Sequence, residues 1–283
     1  FKDICKDMLF KWDDIRREVL LEWSLGTSNS PFSTEDLETI ARLVKEPIKI
    51  VYFLGKYIFN IYEEVEYYNG MPKYPPIIGV DVSGGYNRDA SAICCINSFT
   101  TKVFADLKCN YISTPELARV IYELVTKYMP NAVVNVERNG GFGASVLAKL
   151  INSDIKRNLY FEIKDKVIEE QNDGTKVIKR TQKTKVYGLD STKSKRELLI
   201  QILRERVDNH KDKFVSKRIY DELVGMEVKR NGKVEHSSNS HDDLVFSYLM
   251  AMYVWYEGKD LKEHFNILKT TIKTDEDIDE VMY

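Results

Sequence analysis

The sequence predicts an α/β fold, with a mixed central sheet flanked by helices and a helical N-terminal lead-in. Three apolar runs rich in β-branched residues follow one another between 77 and 110, the pattern of antiparallel strands joined by tight turns. Further along, helical patterns alternate with an almost wholly apolar run at 132–137, which is typical of a central strand. The chain has 283 residues, of which 43% are hydrophobic, so it can bury a sizeable core.

Composition narrows the class of protein. The formal net charge is -2, so a nucleic-acid surface would have to be a local basic patch on a near-neutral body. The four cysteines include no CxxC pair, which argues against a zinc cage and fits reduced thiols in a cytosol. The most apolar run, at 48–62, is interrupted by Lys49, Gly55 and Lys56 and is too short to span a bilayer, so no membrane role is expected.

The turn chemistry divides the chain into three parts. Proline and glycine concentrate at 69–76, which places a boundary between a lead-in at 1–72 and a main domain at 73–258. The charged stretch 259–283 is predicted to be a peripheral tail. Within the lead-in we expect an amphipathic helix at 3–23 and a second helix from Ser33, a residue suited to capping, to about Val44. Residues 48–68 fit either strands or a buried helix.

The main domain reads as a series of elements separated by clear turn signals. A proline at the first turn marks one helix start, and Asp173-Gly174 marks the tip of a polar hairpin. The predicted elements are strands at 77–83, 90–97 and 102–110, a helix at 114–128, a strand at 132–137, a helix at 142–151, a fifth strand at 160–163, the polar hairpin at 164–188, helices at 192–208 and 216–224, a hairpin at 225–234, and a buried helix at 242–256.

Acidic side chains stand at the ends of three of these elements. Asp81 closes the first strand, Glu137 closes the fourth, and Asp242 and Asp243 begin the buried helix. Neighbouring first and fourth strands would bring these carboxylates to one edge of the sheet, where they repel one another unless a divalent cation compensates. Oxygen ligands suit Mg²⁺ or Mn²⁺, and two such ions about 3.5–4 Å apart can hydrolyse a phosphodiester. Taken singly, each acid could instead be a turn residue, a solvated strand end or a helix cap.

Four motifs carry a resemblance to a known family. They are GVDVSGGYNRDASA at 79–92, VNVERNGGFG at 134–143, GLDSTKSK at 188–195 and HDDLV at 241–245. In order and spacing they resemble the C-terminal nuclease domain of the large terminase subunit of tailed bacteriophages, a ribonuclease-H-like fold. Residues 16–30 are similar to the end of that family's upstream ATPase motor, where it passes into a linker. The sequence has no GxxxxGK[ST] phosphate loop, so ATP hydrolysis by that route is not expected.

The resemblance implies a metal-dependent endonuclease that cuts concatemeric viral DNA during packaging, with two Mg²⁺ or Mn²⁺ ions. By motif, the catalytic metal ligands would be Asp81, Glu137 and the consecutive pair Asp242 and Asp243, of which we favour Asp243. Asp89 matches a further acidic position of the first motif; it would support the metal ligands or cap a turn. His241 would likewise assist the metal ligands or proton transfer, with helix capping and hydrogen bonding as the favoured alternative. The implied partners are double-stranded DNA, the portal protein and the small terminase subunit. The expected location is the host cytoplasm, in a packaging machine absent from the mature virion.

Basic residues supply the local positive charge that DNA contact requires. Five of them are our DNA-binding candidates: Lys183, Lys185, Lys193, Lys195 and Arg196. Lys176, Lys179 and Arg180 are further candidates on the hairpin that carries Lys183 and Lys185. Acidic residues share that hairpin, so a solvated hairpin explains all of its charges equally well, and the cluster of Lys193, Lys195 and Arg196 is favoured over it. We also expect the glycines after Asp81, Gly84 and Gly85, to leave room for the DNA backbone.

Three other readings stay open at this point. An ATP-using sugar-kinase or actin-like fold also places an acid and glycines after its first strand, but it requires a second, related half. A junction resolvase or transposase shares the ribonuclease-H-like layout. A non-enzymatic packaging scaffold would use the acids only as caps.

Overall fold

The computed structural model describes residues 29–85, 89–139, 141–172, 177–238 and 240–258, without the side chains of 166–172 and 177–180. The predicted helix at 3–23, the turn at Asp173-Gly174 and the tail at 259–283 lie outside the described residues. The elements are, in order, α1 (Thr34–Leu43), β1 (Lys49–Phe53), β2 (Tyr57–Ile61), β3 (Tyr67–Tyr68), β4 (Met71–Pro72), β5 (Pro76–Asp81), β6 (Ser91–Asn97), β7 (Val103–Cys109), α2 (Thr114–Tyr128), β8 (Val133–Val136), α3 (Phe142–Ile151), β9 (Phe161–Asn172), β10 (Val177–Tyr187), α4 (Lys193–Asn209), α5 (Lys217–Val224), β11 (Met226–Val228), β12 (Val234–His236) and α6 (Asp243–Glu257), with short 3-10 helices at Asp154–Asn158 and Lys211–Lys213.

A six-stranded mixed sheet forms the centre of the molecule, in the order β1-β2-β7-β6-β5-β8. All neighbours are antiparallel except β5 and β8, which run parallel with Gly79 opposite Asn135. Helices cover both faces, which confirms the predicted fold class. The predicted boundaries of β5 to β8, α2 and α3 agree with the structure to within about two residues, the usual uncertainty of element ends.

The strand alternation of β5 decides which residues face which helix. Ile78 and Val80 point into a core formed with α2 and α3, whereas Ile77 belongs to the core formed with α6. Gly79 lies directly under α6, because a Cβ atom there would stand 2.6 Å from the backbone nitrogen of Ala251. Asp81, two residues further on, therefore emerges on the α6 side of the sheet.

The predicted fifth strand at 160–163 is wrong as a member of the central sheet. In the described part of the chain, residues from Phe161 onward pair with β10, with Phe161 opposite Tyr187, so the hairpin begins earlier than predicted. Single parallel bridges reach the sheet edge near this point, from Leu159 to Val134 and from Leu189 to Glu137. The physical reason is the polarity of the segment, because a central strand would have to bury Glu162.

Residues 48–68 resolve as strands, not as a helix. β1 and β2 extend the central sheet upstream of the boundary placed near 72, with β2 hydrogen-bonded to β7. The helix predicted from Ser33 is confirmed as α1, with the Ser33 hydroxyl accepting a hydrogen bond from the Asp36 N–H. The division into domains stays a prediction, although the sheet itself crosses it. No helix in the described part of the chain has the length and apolar character to cross a membrane.

Candidate active site

Glu137 and Asp81 lie at neighbouring strand ends. β5 and β8 are parallel, so their carboxyl ends meet at one edge of the sheet, and the Glu137 N–H donates to the Val80 carbonyl at 2.9 Å. Gly143 lets the start of α3 approach this point, because a Cβ atom there would stand 2.9 Å from the carbonyl carbon of Glu137. The structure therefore brings Asp81 and Glu137 to one edge of the sheet.

Asp242 and Asp243 join them from the start of α6. Asp242 occupies the N-cap position, yet its side chain makes no capping hydrogen bond; only its carbonyl serves the helix, accepting from the Phe246 N–H at 2.8 Å. Asp243 is the first helical residue and is 7% exposed. The capping alternative therefore does not account for the Asp242 carboxylate.

Three of the acids, Asp81, Asp242 and Asp243, line one cleft of 630 Å³, and Glu137 lies beside Asp81. Burial raises the pKa of Asp81 well above its ordinary value, and the negative charges of Glu137, Asp243 and Asp242 raise it further, in that order. Burial also raises the pKa of Asp242, while His236 and Arg196 oppose the rise. A positive charge in the cleft would relieve this repulsion.

The donor set fits a hard divalent cation. Oδ2 of Asp242 is buried and accepts no hydrogen bond among the described residues, so it is available to a cation, whereas Oδ2 of Asp243 lies 3.1 Å from the Lys108 ammonium. All the acids offer oxygen, the ligand type that Mg²⁺ and Mn²⁺ prefer. Among the described residues, no three His, Cys, Asp or Glu side chains already form a metal cage. The acids lie at or beside the cleft, but their side chains do not converge on one ion position.

Sequence reasoning missed Lys108, which contacts Asp243, and Glu222, which pairs with Lys108. The Lys108 ammonium lies 3.1 Å from Asp243 Oδ2 and forms an ion pair with Glu222. Burial raises the pKa of Glu222 to about 7, against the opposing effect of Lys108. A single Lys near the end of a strand and an acid on an amphipathic helix carry no signal of this contact in the sequence.

Arg196 and His236 also line the cleft. The Arg196 guanidinium lies 3.6 Å from Asp242 Oδ2 and stacks 4.1 Å from the centre of the Phe246 ring. The His236 Nδ1 atom is 2.8 Å from the Ser237 carbonyl, so it carries the proton and donates. His241 is exposed, and its ring stacks on His236 with centroids 6.1 Å apart.

Asp89 also lines the cleft, and its backbone takes part in the loop that follows Asp81. The Ser83 hydroxyl donates to the Asp89 carbonyl at 2.7 Å, which ties the loop after Asp81 back on itself. The structure gives the two glycines a packing role, and their role in leaving room for DNA stays a prediction. A Cβ atom at Gly84 would meet the Phe142 ring at 2.9 Å, and Gly85 has a φ of +71° and packs on Ile112. Close packing requires the first glycine, and a left-handed turn favours the second.

The DNA-binding candidates differ in the exposure of their side chains and in the contacts that these side chains make within the chain. Lys183 and Lys193 are exposed, and Lys193 has only a 4.0 Å contact with Glu197 on its own helix. Lys185 lies 4.1 Å above the Phe161 ring. Lys195 is 22% exposed and pairs with Glu162 at 2.5 Å, so it fastens the base of the hairpin to α4. The side chains of Lys176, Lys179 and Arg180 lie outside the described residues.

No protein-family model and no curated protein matches the sequence. Solved structures do match. The large terminase nuclease from thermophilic phage G20c aligns with a TM-score of 0.52 at 18% identity, covering 81% of this chain and 100% of that chain. The magnesium-bound structure of that nuclease gives 0.51 at 17% identity, covering 80% and 97%. The Thermus phage P74-26 large terminase nuclease domain gives 0.51 at 19% identity, again covering 80% and 97%. This chain therefore has the ribonuclease-H-like fold of the phage large terminase nucleases, as its four motifs predict.

Proposed function

We propose that this chain is a metal-dependent endonuclease that cuts concatemeric viral DNA during genome packaging. The observation that carries the proposal is the convergence of Glu137, Asp242 and Asp243 on Asp81, beside a cleft that three of these acids line, where their mutual repulsion calls for a cation. The magnesium-bound state of the G20c nuclease, which has the same fold, supports the choice of a divalent ion.

The residues of this chain would hold Mg²⁺ or Mn²⁺ through Asp81, Glu137 and Asp243, with Asp242 as the fourth candidate ligand. When bound, a pair of such ions supplies an activated water and stabilises the leaving oxygen of the phosphodiester. Arg196 places a positive charge at the rim, where a DNA phosphate would enter. Asp89 and His241, which line the cleft, would assist the metal ligands. Contacts of this type read phosphates and not bases, so weak sequence specificity follows.

In the full assembly we place this nuclease in the host cytoplasm, acting on double-stranded DNA beside the portal protein and the small terminase subunit. Exposed Lys183 and Lys193 are the strongest of the DNA-binding candidates, because their side chains are the least committed to contacts within the chain.

Plasmid cleavage tests the proposal. Supercoiled plasmid is incubated with the protein and Mn²⁺, Mg²⁺ or EDTA, using wild type, Asp81→Ala and a matched control, Asp212→Ala, which removes an exposed Asp outside the cleft. We expect nicked and linear products with Mn²⁺ or Mg²⁺ for wild type and the control, and none with EDTA or with Asp81→Ala. Full-rate cleavage by Asp81→Ala would refute the assignment. A preference for branched DNA or a strand-transfer product would favour a resolvase or transposase.

A further inference from the structure

Lys108 stands in line with Asp81 across the sheet. In the strand register Asp81 is opposite Ala92 on β6, and Ala92 is opposite Lys108 on β7. Residues in register across adjacent strands point to the same face, so Lys108 lies on the face that carries Asp81, about 10 Å away across two strand spacings. The small side chain of Ala92 lies between them.

Two further elements meet at the Lys108 ammonium. It lies 3.1 Å from Asp243 Oδ2 at the start of α6 and pairs with the Glu222 carboxylate on α5. The other carboxylate oxygen of Glu222 accepts a hydrogen bond from the Val245 N–H at 2.8 Å. Glu222 thus holds both the lysine and the backbone of α6, two residues beyond Asp243.

This cluster is too buried to be an ordinary surface ion pair. Glu222 is 5% exposed and Asp243 is 7% exposed, and 23% of the Lys108 side chain is exposed. Ion pairs at such depth contribute little stability compared with apolar residues of similar size, because their desolvation offsets their attraction. Their value lies in fixing geometry, as the outer partners of metal-binding side chains do.

We infer that Lys108 and Glu222 are positioning residues for Asp243, holding its carboxylate in place at the cleft. Its Oδ2 atom is buried and lies 3.1 Å from the Lys108 ammonium, and the residue itself lines the cleft. The inference rests on the proposed function, in which Asp243 is a metal ligand. It also separates the two consecutive acids: Asp243 is oriented by a buried pair, whereas among the described residues the ion pair of Asp242 is a looser one, with Arg196 at 3.6 Å.

The test removes the pair without changing the net charge around Asp243. In the full chain, Lys108→Met is combined with Glu222→Gln, so one positive and one negative charge are lost together. The matched control is Lys102→Met, because Lys102 is 24% exposed, precedes the same strand and pairs with Glu63, away from the cleft. Mn²⁺ binding is measured by calorimetry and by the electron paramagnetic resonance signal of free Mn²⁺, with plasmid cleavage in parallel and thermal unfolding as a check on folding.

We expect the double variant to bind Mn²⁺ about 10- to 100-fold more weakly and to cleave correspondingly slowly, with the control unchanged. If the double variant does not fold, Glu222→Gln alone, which keeps a carbonyl oxygen for the Val245 N–H, is measured with the same expected direction. Wild-type Mn²⁺ affinity and cleavage in a folded variant that lacks the pair would overturn the inference alone. A wild-type protein that neither binds Mn²⁺ nor cleaves would overturn the proposed function and the inference with it.

Discussion

Replacing Gly79 by alanine should separate α6 from β5 and pull the two halves of the site apart. A Cβ atom at this position would stand 2.6 Å from the Ala251 nitrogen and closer still to the Ser247 carbonyl oxygen, against the 3.4 Å or more of an ordinary contact. The atoms that obstruct it are helix backbone, which no rotamer change can move. The helix must therefore retreat by at least about 0.8 Å, which is enough to shift Asp243 relative to Asp81.

Overpacking of this kind costs up to about 3 kcal/mol of the free energy of unfolding. A misplacement of about 1 Å between reacting groups can lower a rate about 100-fold, so we expect Mn²⁺-dependent plasmid cleavage to fall by that order per folded molecule. Urea unfolding and cleavage are measured together. Gly55→Ala is the control: Gly55 has a φ of +72° with nothing within 4 Å of a Cβ, so the variant loses about 1–2 kcal/mol to backbone strain without moving the site. Wild-type stability and cleavage in Gly79→Ala would refute the packing argument.

Three further predictions follow from charge and burial. The folded-state pKa of Glu222, about 7, lies above its ordinary value of 4.5, so its contribution to stability is full below pH 4.5 and is lost as the pH rises through 7, a difference of about 3 kcal/mol. Urea unfolding at pH 5 and pH 8 should show this loss in the wild type and a flatter stability profile in Glu222→Gln. An unchanged profile in the variant would contradict the prediction. Burial and the neighbouring acids raise the pKa of Asp81, so its charged carboxylate is repelled at pH 8. Asp81→Asn should therefore raise the melting temperature of the metal-free protein at pH 8 and abolish its stabilisation by Mn²⁺. A lower melting temperature of the metal-free variant would contradict repulsion between Asp81 and the other acids. Lys193→Ala should weaken DNA binding and reduce the slope of log affinity against log salt by about 1. Lys195→Ala should mainly lower stability, because of these two lysines Lys195 is the one that pairs with Glu162. Equal effects of the two variants on DNA binding would contradict this distinction.

The placement of the principal acids follows from local sequence signals. Side chains of the strand 77–81 point alternately into two cores, and this period of two determines the face on which Asp81 lies. The glycines that follow Asp81 mark the end of the strand. Glu137 follows from the same reasoning on β8, once the two strands are neighbours. The start of α6 is marked by a long apolar run with acids before it. These features depend on residues within a few positions of one another, which is why sequence patterns report them.

The features that the sequence does not predict depend on distant residues. Lys108 meets Glu222 across 114 positions of the chain, and nothing near either residue signals the pair. Phe161 and Ile163 have the composition of a fifth strand, but the charged residues between and after them direct the segment into the hairpin. Lys195 reads as a DNA contact from its basic neighbours, yet Glu162 binds it from another element.

The central claim is that these acids form a metal centre, and a crystal soaked in Mn²⁺ tests it most directly. Anomalous difference density measured at the manganese edge should appear between Asp81, Glu137 and Asp243, and should be absent in Asp81→Ala crystals treated in the same way. A fully soaked wild-type crystal with no manganese among these carboxylates would contradict the claim.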